Sequence, residues 1–361
     1  MGCGLVAQVM HLPYLQELSD RYEVIALCDL AEEPLRFASR LHPGATTHAR
    51  FEDVLERRPD VVLVLIAGSH APAAIAAAEA GIHVFVEKPM CLSLEEGQAM
   101  IAAAERGGVR LMVGYMKRYD PAYEELAARL DRDSVRLGRV TTLESPLEPY
   151  VAQYRLARGS IDPDLLAELA ADDARRVDEA VGDLPPLARK TYRAILLDSM
   201  VHELNAVRGL LGEPDELLFS HIWGTEPTGV TATLRFGAAD CIFSWVDLPG
   251  IARYAGELAF YGADERATLT FPSPFLRSMP TTLVLEGGDP GTTASWRTEH
   301  TASYEEAFKQ ELLELHAVIT EDREPRTTAV DGLRDVALCR AIAASAHDGR
   351  PRSRPTETGP A

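Results

Sequence analysis

The 361-residue chain is predicted to fold as a parallel α/β domain followed by an α+β domain with a mostly antiparallel open sheet. Between residues 22 and 115, short apolar runs alternate with helical segments, a pattern typical of βαβ units around a parallel sheet. Between residues 216 and 286, short alternating segments are separated by Gly, Pro and Asp, which favours an antiparallel sheet. We therefore predict two domains, residues 1–121 and residues 122–361.

The first domain contains four segments typical of buried strands and four typical of helices. The strand segments are residues 22–29, 60–68, 83–89 and 109–115, and the helical segments are residues 31–41, 51–57, 71–81 and 94–107. Gly81 stands where the glycine after a helix belongs.

The second domain mixes helices and strands. Its helices are predicted at residues 123–130, 161–181, 195–212, 304–322 and 329–347, and a strand at residues 138–144 precedes the antiparallel region. Gly212 and Pro214 mark the end of the third of these helices. The polar tail from residue 350 is expected to be disordered.

The composition is that of an ordinary globular protein with a strong negative charge. Acidic residues outnumber basic ones by 55 to 36, for a net charge of -19, and no basic stripe offsets the excess. We therefore expect neither nucleic acid nor an anionic membrane as a partner. The five cysteines lie far apart without metal-ligand spacing, which predicts no metal site and favours reduced thiols in a cytoplasm.

A glycine-rich turn at the amino end predicts a dinucleotide site in a Rossmann domain. Residues 2–7 (GCGLVA) fit G-x-G-x-x-[GA], and Asp29 ends the next predicted strand. Such glycines permit a tight turn and close approach of a pyrophosphate to a helix N-terminus. The predicted contacts are Gly2, Gly4, Leu5 and Val6. Asp29 would accept a hydrogen bond from the ribose 2′-OH and repel a 2′-phosphate, so we expect NAD rather than NADP.

This motif lacks the strand that should precede it. Only Met1 stands before Gly2, whereas the motif should follow a central strand of about five or six residues. Without that strand, its neighbours would keep unpaired backbone groups in the interior. We therefore expect that translation starts further upstream and that the chain as written binds its cofactor poorly.

Lys88 lies in the tripeptide Glu87-Lys88-Pro89, directly after an apolar run. An ammonium at the end of a buried strand is costly to desolvate, so it needs a partner or a chemical task. Ligands of open α/β sheets bind at the carboxyl ends of strands, which makes Lys88 a candidate proton-transfer group beside a cofactor. On the tripeptide alone, a lysine that leaves the strand into solvent is an equal alternative.

Asp198 and His202 lie four residues apart and share one face of a predicted helix. A carboxylate one turn from an imidazole can orient the ring and raise its pKa, as a general acid–base near neutral pH requires. An isolated pair with this spacing is usually a surface ion pair. Because the neighbouring residues are strongly apolar, we expect this pair to face a site instead of solvent.

Further polar residues follow the predicted strands. Tyr115, Lys117 and Arg118 come after the fourth strand and are predicted to stand at the same sheet edge as Lys88, with a polar strand-to-helix loop as the alternative. His70 follows the second strand, where it could cap the next helix or touch the nicotinamide half of the cofactor. Capping is the simpler interpretation.

Several segments together resemble the Gfo/Idh/MocA family of oxidoreductases, which includes glucose–fructose oxidoreductase and inositol dehydrogenase. In chain order they are GCGLVA (2–7), HLPYL (11–15), GSHAPAAIAAAEAGIHVFVEKP (68–89), GYMKRYDPAY (114–123), LLDSMVHELNAVRGLLG (196–212) and EPRTTAVDGLRDVALCRAIAAS (324–345). The resemblance implies a nicotinamide cofactor and a sugar, cyclitol or sugar-nucleotide substrate. It also implies a C-terminal open sheet that forms a homodimer or homotetramer.

Carried over by position, the resemblance makes Lys88 and His202 the catalytic pair and Asp198 a substrate-orienting acid. The remaining cofactor contacts are expected at Ala67, Gly68, His70, Glu87, Lys88, Tyr115 and Arg118. The family's usual Thr-Pro after the second strand is replaced here by Ala67-Gly68. The chain is also longer than simple members between residues 144 and 192, where a charged helical insert is expected to border the substrate pocket.

The predicted activity is NAD-dependent oxidation of a secondary alcohol, or the reverse reduction of a keto-sugar. His202 would exchange the hydroxyl proton, while Lys88 would donate to the oxygen that gains charge. Two other classes stay open. One is a glycoside-cleaving hydrolase or lyase that oxidises its substrate transiently with retained NAD, and the other is a cofactor-binding regulator without catalysis.

Overall fold

The computed structural model describes residues 1–348, so the tail expected to be disordered lies outside the described residues. Strands and helices alternate through the first 114 residues, as the sequence pattern predicts. These elements are α1 (residues 5–17), β1 (Ala26–Cys28), α2 (Glu32–Leu41), β2 (Thr46–His48), α3 (Phe51–Leu55), β3 (Val61–Val64), α4 (Ala71–Glu79), β4 (His83–Glu87), α5 (Leu94–Gly107) and β5 (Leu111–Gly114).

These five strands form two separate parallel sheets. β1 pairs with β2, and β3, β4 and β5 pair in that order. Among residues 1–348, no strand fills the space between the sheet that contains β1 and the sheet that contains β3. Of the strand predicted over residues 22–29, only Ala26–Cys28 forms. This strand, β1, has a strand partner, β2, along one edge alone.

Local sequence signals set the helix ends. The Ser93 side chain accepts from the Glu96 N–H at 3.1 Å and caps the start of α5. Gly81, after α4, and Gly108, after α5, have φ values of +75° and +62°, which glycine adopts at little cost. The predicted helices over residues 71–81 and 94–107 are therefore confirmed.

The second half contains one large sheet, and helices precede and follow most of its strands in the chain. Its elements are α6 (Pro121–Arg129), β6 (Leu137–Glu144), α7 (Glu148–Val151), α8 (Pro163–Val181), α9 (Pro186–Thr191), α10 (residues 192–211), β7 (Glu216–Trp223), β8 (Gly229–Phe236), β9 (Ala239–Asp247), β10 (Ala255–Tyr261), β11 (Glu265–Phe271), β12 (Thr282–Gly288), β13 (Ser295–Thr301), α11 (Ala307–Thr320) and α12 (Ala329–Asp348).

The sheet has the strand order β13-β12-β11-β10-β6-β9-β8-β7. Its pairs are antiparallel except β6 with β9, so the predicted mostly antiparallel sheet is confirmed. β6 enters the middle of the sheet from a distant part of the chain. Along β8 and β9, every second residue is buried, and one face of the sheet therefore packs on the core.

The last helices return to the first domain. Phe308, Leu312 and Leu315 of α11 share a buried cluster with Ala7 and other residues of α1. The Val113 N–H donates to the Thr327 carbonyl at 2.9 Å, next to β5. The end of the chain thus completes the packing of the N-terminal half, and the division at residue 121 stays a prediction. No helix of residues 1–348 is long and apolar enough to cross a membrane.

Candidate functional site

The glycine turn has the geometry that a bound pyrophosphate needs. Gly2 has φ +88°, and a Cβ there would lie 2.7 Å from the Leu65 backbone, so only glycine fits. At Gly4 a Cβ would meet no atom within 4 Å, which leaves open space beside the turn. The Gln8 N–H donates to the Gly4 carbonyl at 2.9 Å, so the first amide groups of α1 have no helical partner and are available to an anion.

Asp29 follows β1 and lies next to this turn. Its Oδ2 accepts from the Cys3 N–H at 2.6 Å, and its Oδ1 accepts from the Ala31 N–H at 2.7 Å. Each carboxylate oxygen has a further lone pair, so both can also accept from a ribose hydroxyl. The turn and Asp29 together fit a dinucleotide.

Lys88 follows β4 and reaches across to α10. Its Nζ donates to the backbone carbonyl of Asp198 and lies 3.8 Å from the Asp198 Oδ1. The Lys88 side chain is 21% exposed. The ammonium is therefore held between the two halves of the chain yet stays accessible, and it does not extend freely into solvent.

His202 lies on α10, one turn beyond Asp198. Its ring meets Tyr115 edge-on, with ring centroids 6.3 Å apart. Its Nδ1 is buried and has no hydrogen-bond partner within residues 1–348, although the residue as a whole is only half-buried. Burial, and then the charges of Lys88 and Lys117, hold the pKa of His202 well below its usual range. The imidazole is neutral near pH 7 and can accept a proton.

The expected effect of Asp198 on His202 is wrong. The Asp198 side chain is 60% exposed, and its carboxylate lies near the Lys88 ammonium. Burial and then the charges of two lysines act on the imidazole, so its pKa falls where we expected a rise. Asp198 instead presents a carboxylate at the accessible side of the site, where it can accept from hydroxyl groups.

The Glu87 carboxylate, expected at the cofactor, is turned into the core. Glu87 is 7% exposed, and its Oε1 lies 2.7 Å from the His11 Nε2. Burial alone would raise the pKa of Glu87, but His11 and Lys88 bring it below its usual value. The pair fixes α1 against the end of β4, next to Lys88.

The expected helix cap at His70 is also wrong. Its side chain makes no cap hydrogen bond to α4. Its Nδ1 lies 2.8 Å from the Pro89 carbonyl oxygen, and its Nε2 lies 2.9 Å from that of Ile66. Because a neutral imidazole has a single N–H, the ring donates to one of these two carbonyls, and His70 lies between the loops after β3 and β4. Its expected contact with the cofactor stays a prediction. Ala67 and Gly68 lie in the first of these loops.

The residues after β5 face the second domain. Tyr115 is 1% exposed and lies behind His202. The Arg118 Nη1 lies 3.4 Å from the Asn205 Oδ1 on α10. A short 3₁₀ helix, Met116–Tyr119, starts directly after Tyr115 and turns the chain away from the sheet edge. Tyr115 thus lies against His202 and Arg118 contacts α10, and their expected contacts with the cofactor stay predictions.

Comparison with known proteins shows which proteins this chain is similar to. Residues 1–115 match the model of the Gfo/Idh/MocA oxidoreductase family, NAD-binding Rossmann fold. D-apiose dehydrogenase of Paraburkholderia graminis is 26% identical over an alignment that covers 97% of this chain and 87% of that protein. The match of residues 1–115 and the likeness to this relative support a Gfo/Idh/MocA oxidoreductase.

Solved structures share the fold over nearly the whole chain. KijD10, a 3-ketoreductase from Actinomadura kijaniata in complex with NADP and TDP-benzene, has a TM-score of 0.71 at 19% identity and covers 95% of each chain. The WlbA dehydrogenase of Bordetella pertussis, in complex with NADH and UDP-GlcNAcA, has a TM-score of 0.68 at 20% identity and covers 97% of this chain and 95% of that one. At such identities the likeness shows the fold alone.

A buried ion pair beside His202 was not predicted from the sequence. Lys117 and Glu203 are paired, and they are 5% and 2% exposed. Burial alone would lower the pKa of Lys117, but Glu203 and then Tyr254 raise it above its usual value. The available signal was Glu203, an acidic residue directly after His202 in a largely apolar stretch of α10.

A second polar group lies on the sheet side of the site. Glu144, at the end of β6, accepts from the Ser199 Oγ at 3.4 Å, and the Trp245 Nε1 donates to the same Oγ at 2.8 Å. Burial, with the charge of Glu203, raises the pKa of Glu144. We call Glu144, Ser199 and Trp245 the polar floor. Its residues come from two sheet strands and α10, so no local pattern in the sequence could have predicted it.

The insert between β6 and α10 reaches the cofactor side of the domain. The Gln8 Nε2 donates to the Ala157 carbonyl at 2.9 Å, and the Ala157 N–H donates to the Gln8 Oε1 at 2.8 Å. A Cβ at Gly159 would lie 2.8 Å from the Cβ of Ala31, the second residue after Asp29. We call residues 152–162 the strap. We expected the insert at the substrate pocket, but this part of it lies against the glycine-turn helix and the loop after Asp29.

Proposed function

We propose that the protein is an NAD(P)-dependent dehydrogenase or reductase that acts on a secondary hydroxyl or keto group of a sugar, cyclitol or sugar nucleotide. One observation carries the proposal. An ammonium from the N-terminal half, Lys88, is bonded to the helix that bears a neutral imidazole, His202. This combination at the carboxyl end of a parallel strand suits proton transfer to or from a carbinol oxygen.

The glycine turn and Asp29 would hold the cofactor, and a bound nicotinamide ring supplies or accepts the hydride. In the oxidation, His202 accepts the hydroxyl proton as the carbinol carbon loses its hydride. Lys88 donates a hydrogen bond to the same oxygen and stabilises its negative charge. In the reverse direction the imidazolium returns the proton. Each such proton-transfer group contributes roughly 10²–10⁴-fold to the rate.

Hydroxyl-rich substrates suit the remaining side chains of the site. The Asp198 carboxylate is accessible and can accept from a hydroxyl, and the polar floor offers further groups deeper in the site. The name of the D-apiose dehydrogenase and the UDP-GlcNAcA bound to WlbA support the same substrate class. Asp29 supports NAD over NADP, because its carboxylate would repel a 2′-phosphate.

The test is turnover by Lys88→Ala and His202→Ala proteins at saturating NAD. D-apiose, myo-inositol and UDP-GlcNAcA serve as the panel, and NADH absorbance is the readout. We expect each variant to lose most of the turnover while it still binds NAD in a fluorescence titration. Lys190→Ala is a matched control at an exposed position and should behave as wild type. Wild-type rates in either active-site variant would overturn the assignment.

A second candidate is a hydrolase or lyase that oxidises its substrate transiently with NAD that stays bound through the whole catalytic cycle. The strap favours it, because Ala157 and Gly159 contact both sides of the proposed cofactor turn and would hinder release. Product formation without net NADH, with release of an aglycone from a glycoside, would select this candidate. Net NADH formation at the rate of substrate loss would select the dehydrogenase.

We also propose a homodimer or homotetramer formed through the outer face of the C-terminal sheet, in a cytoplasmic enzyme. On β7, the rings of Phe219, His221 and Trp223 stack in sequence, and Phe219 is 52% exposed. An exposed aromatic row of this kind is typical of protein interfaces. Light scattering should show an oligomer that Phe219→Asp weakens, and a monomeric wild type would contradict this proposal.

A further inference from the structure

The strap touches the cofactor side of the first domain at two points. At the first point, the Ala157 backbone is hydrogen-bonded to the Gln8 side chain of α1. At the second, a Cβ on Gly159 would lie 2.8 Å from the Ala31 Cβ, so the backbone of the strap packs directly on the start of α2. The strap therefore crosses from the glycine-turn helix to the segment that follows Asp29.

Arg158 is the residue of the strap between these two points. Because consecutive Cα atoms lie ~3.8 Å apart, the Arg158 Cα is close to the backbone of both Ala157 and Gly159. The glycine turn would bind the pyrophosphate of a dinucleotide, and Asp29 would bind the adjoining ribose. Arg158 is therefore placed beside the junction of these two parts of the cofactor.

The charge of Arg158 has no partner within the part of the chain that the structure describes. The residue is exposed, and no carboxylate of residues 1–348 lies within 4.0 Å of its guanidinium. Arg36 in α2 is by contrast paired with Glu32 and Glu33. An unpaired guanidinium beside an expected anion site is a candidate ligand of that anion.

The pyrophosphate is an anion that would bind next to a carboxylate. Asp29 adds a negative charge at the turn, since its Oδ2 accepts from the Cys3 N–H at 2.6 Å, and the whole chain has a net charge of -19. The turn itself offers backbone amide groups, which carry only partial charges. A guanidinium would offset the negative charge, and its planar fork can donate two parallel hydrogen bonds to phosphate oxygens. The open space beside Gly4 leaves room for such a group.

We propose that the Arg158 guanidinium binds the pyrophosphate of the nicotinamide cofactor, so that the strap contributes a binding residue from outside the N-terminal half. The inference rests on the proposed function, since it needs a dinucleotide at the glycine turn. The pyrophosphate is favoured over a 2′-phosphate, because Asp29 would repel a 2′-phosphate and because NAD and NADP both contain the pyrophosphate.

The test measures NADH binding by the full chain with Arg158→Ala, and Arg155→Ala is the matched control. Arg155 is also an exposed arginine of the strap, but it precedes Ala157 and lies outside the interval between the two contacts. In a fluorescence titration we expect Arg158→Ala to raise the Kd of NADH by at least about tenfold, because charge-assisted hydrogen bonds are lost. Arg155→Ala should keep the wild-type Kd. Arg158→Lys keeps the charge without the planar fork and should recover part of the loss.

Salt dependence separates a direct contact from a structural effect on the strap. An increase in ionic strength from about 0.05 M to about 0.5 M should weaken NADH binding more in the wild type than in Arg158→Ala, because salt screens a contact that the variant lacks. ADP-ribose contains the pyrophosphate without nicotinamide. In a displacement titration it should lose affinity for Arg158→Ala by the same factor as NADH.

The outcomes distinguish this inference from the proposed function. Equal Kd values of the wild type and Arg158→Ala for NADH would overturn the inference alone. A loss confined to NADPH would also overturn it, because the guanidinium would then bind the 2′-phosphate. A wild type that binds neither NADH nor ADP-ribose would instead refute the proposed function, and the inference with it.

Discussion

The Lys88 ammonium donates a hydrogen bond to the backbone carbonyl of Asp198, and the two halves of the chain meet at this bond. Asp198 lies in the π-helical stretch Tyr192–Met200, and π-helical turns are frequent at functional sites. Because the acceptor is a backbone atom, the helix itself positions Lys88, and the Asp198 carboxylate stays accessible. The distance between the two proposed catalytic groups therefore depends on how α10 packs.

Replacement of Lys88 by Met should raise the pKa of His202. After burial, the nearby charge of Lys88 is the largest cause of the lowered pKa, and its removal makes protonation easier. A neutral His202 is needed to accept the proton, so activity falls as the pH drops through this pKa. The acidic limb of the residual kcat/KM profile should move to higher pH, and an NMR titration of the His202 ring should report the same direction. Lys190→Met, at an exposed site, should move neither.

The Lys117–Glu203 pair should show the cost of a lone buried charge. Lys117→Met leaves the Glu203 carboxylate at 2% exposure without its partner, which costs about 3–5 kcal/mol for pairs of this kind. The double variant Lys117→Met/Glu203→Gln removes both charges and should recover much of that loss. Urea unfolding of the wild type, the two single variants and the double variant measures the coupling. If the losses in free energy of unfolding of the two single variants add up to the loss of the double variant, the two residues do not act as a pair.

The glycine turn, Lys88 and His202 were predictable because each has a local signal. Two closely spaced glycines, a lysine after an apolar strand and a polar pair in an apolar helix can all be recognised without the fold. The same holds for helices with caps: the segment over residues 94–107 forms as predicted. β13 was not predicted, because its sequence SWRTEHT is polar and exposed along nearly its whole length.

What the sequence could not predict depends on contacts between distant segments. Glu144 meets Ser199 only because β6 inserts into the C-terminal sheet, where its partner β9 lies about a hundred residues further on. The direction of Tyr115 depends on a short 3₁₀ turn after β5. Likewise, the pKa of His202 follows from its burial and then from the charges of Lys88 and Lys117, which come from other elements. Residue spacing along α10 predicted the opposite sign.

Glu311 should make the protein less stable as the pH rises. It lies in α11 at 0% exposure, and neither carboxylate oxygen has a hydrogen-bond partner among the described residues. Burial, with the charge of Glu87, raises its pKa well above the usual value, so the folded protein keeps a proton that the unfolded chain has released. The contribution of Glu311 to the free energy of unfolding is therefore full below pH ~4.3. It declines above that pH, by at most about 1.4 kcal/mol per pH unit, until the pKa of the folded state is passed.

Glu311→Gln removes this titration and should flatten the pH dependence of the free energy of unfolding. Urea titrations at several pH values between about 5 and 9 measure the slope. Glu305→Gln, an exposed carboxylate close by in the chain, is the matched control and should keep the wild-type slope. An unchanged slope in Glu311→Gln would show that the group titrates normally in the folded protein.

The strap should slow the exchange of bound NADH. Gln8 lies directly after residues 2–7. Its side chain makes both hydrogen bonds to Ala157 and also donates to the Cys3 carbonyl at 2.8 Å, so Gln8→Ala releases the strap and removes one bond within the glycine turn, without touching Lys88 or His202. Loss of the two hydrogen bonds to Ala157 alone is worth about 1–3 kcal/mol, which corresponds to roughly a 5- to 150-fold faster NADH release. Stopped-flow fluorescence with excess NAD as the trap measures this rate.

Gln153→Ala provides the control for the strap, because Gln153 is exposed in the same segment and bonds only to the nearby Tyr150 carbonyl. It should leave the release rate unchanged. If turnover is limited by cofactor release, Gln8→Ala should also raise kcat. If the cofactor is retained through each cycle, faster release should lower the yield per enzyme when free NAD is scarce. Equal release rates in the wild type and Gln8→Ala would mean that the strap does not cover the bound cofactor.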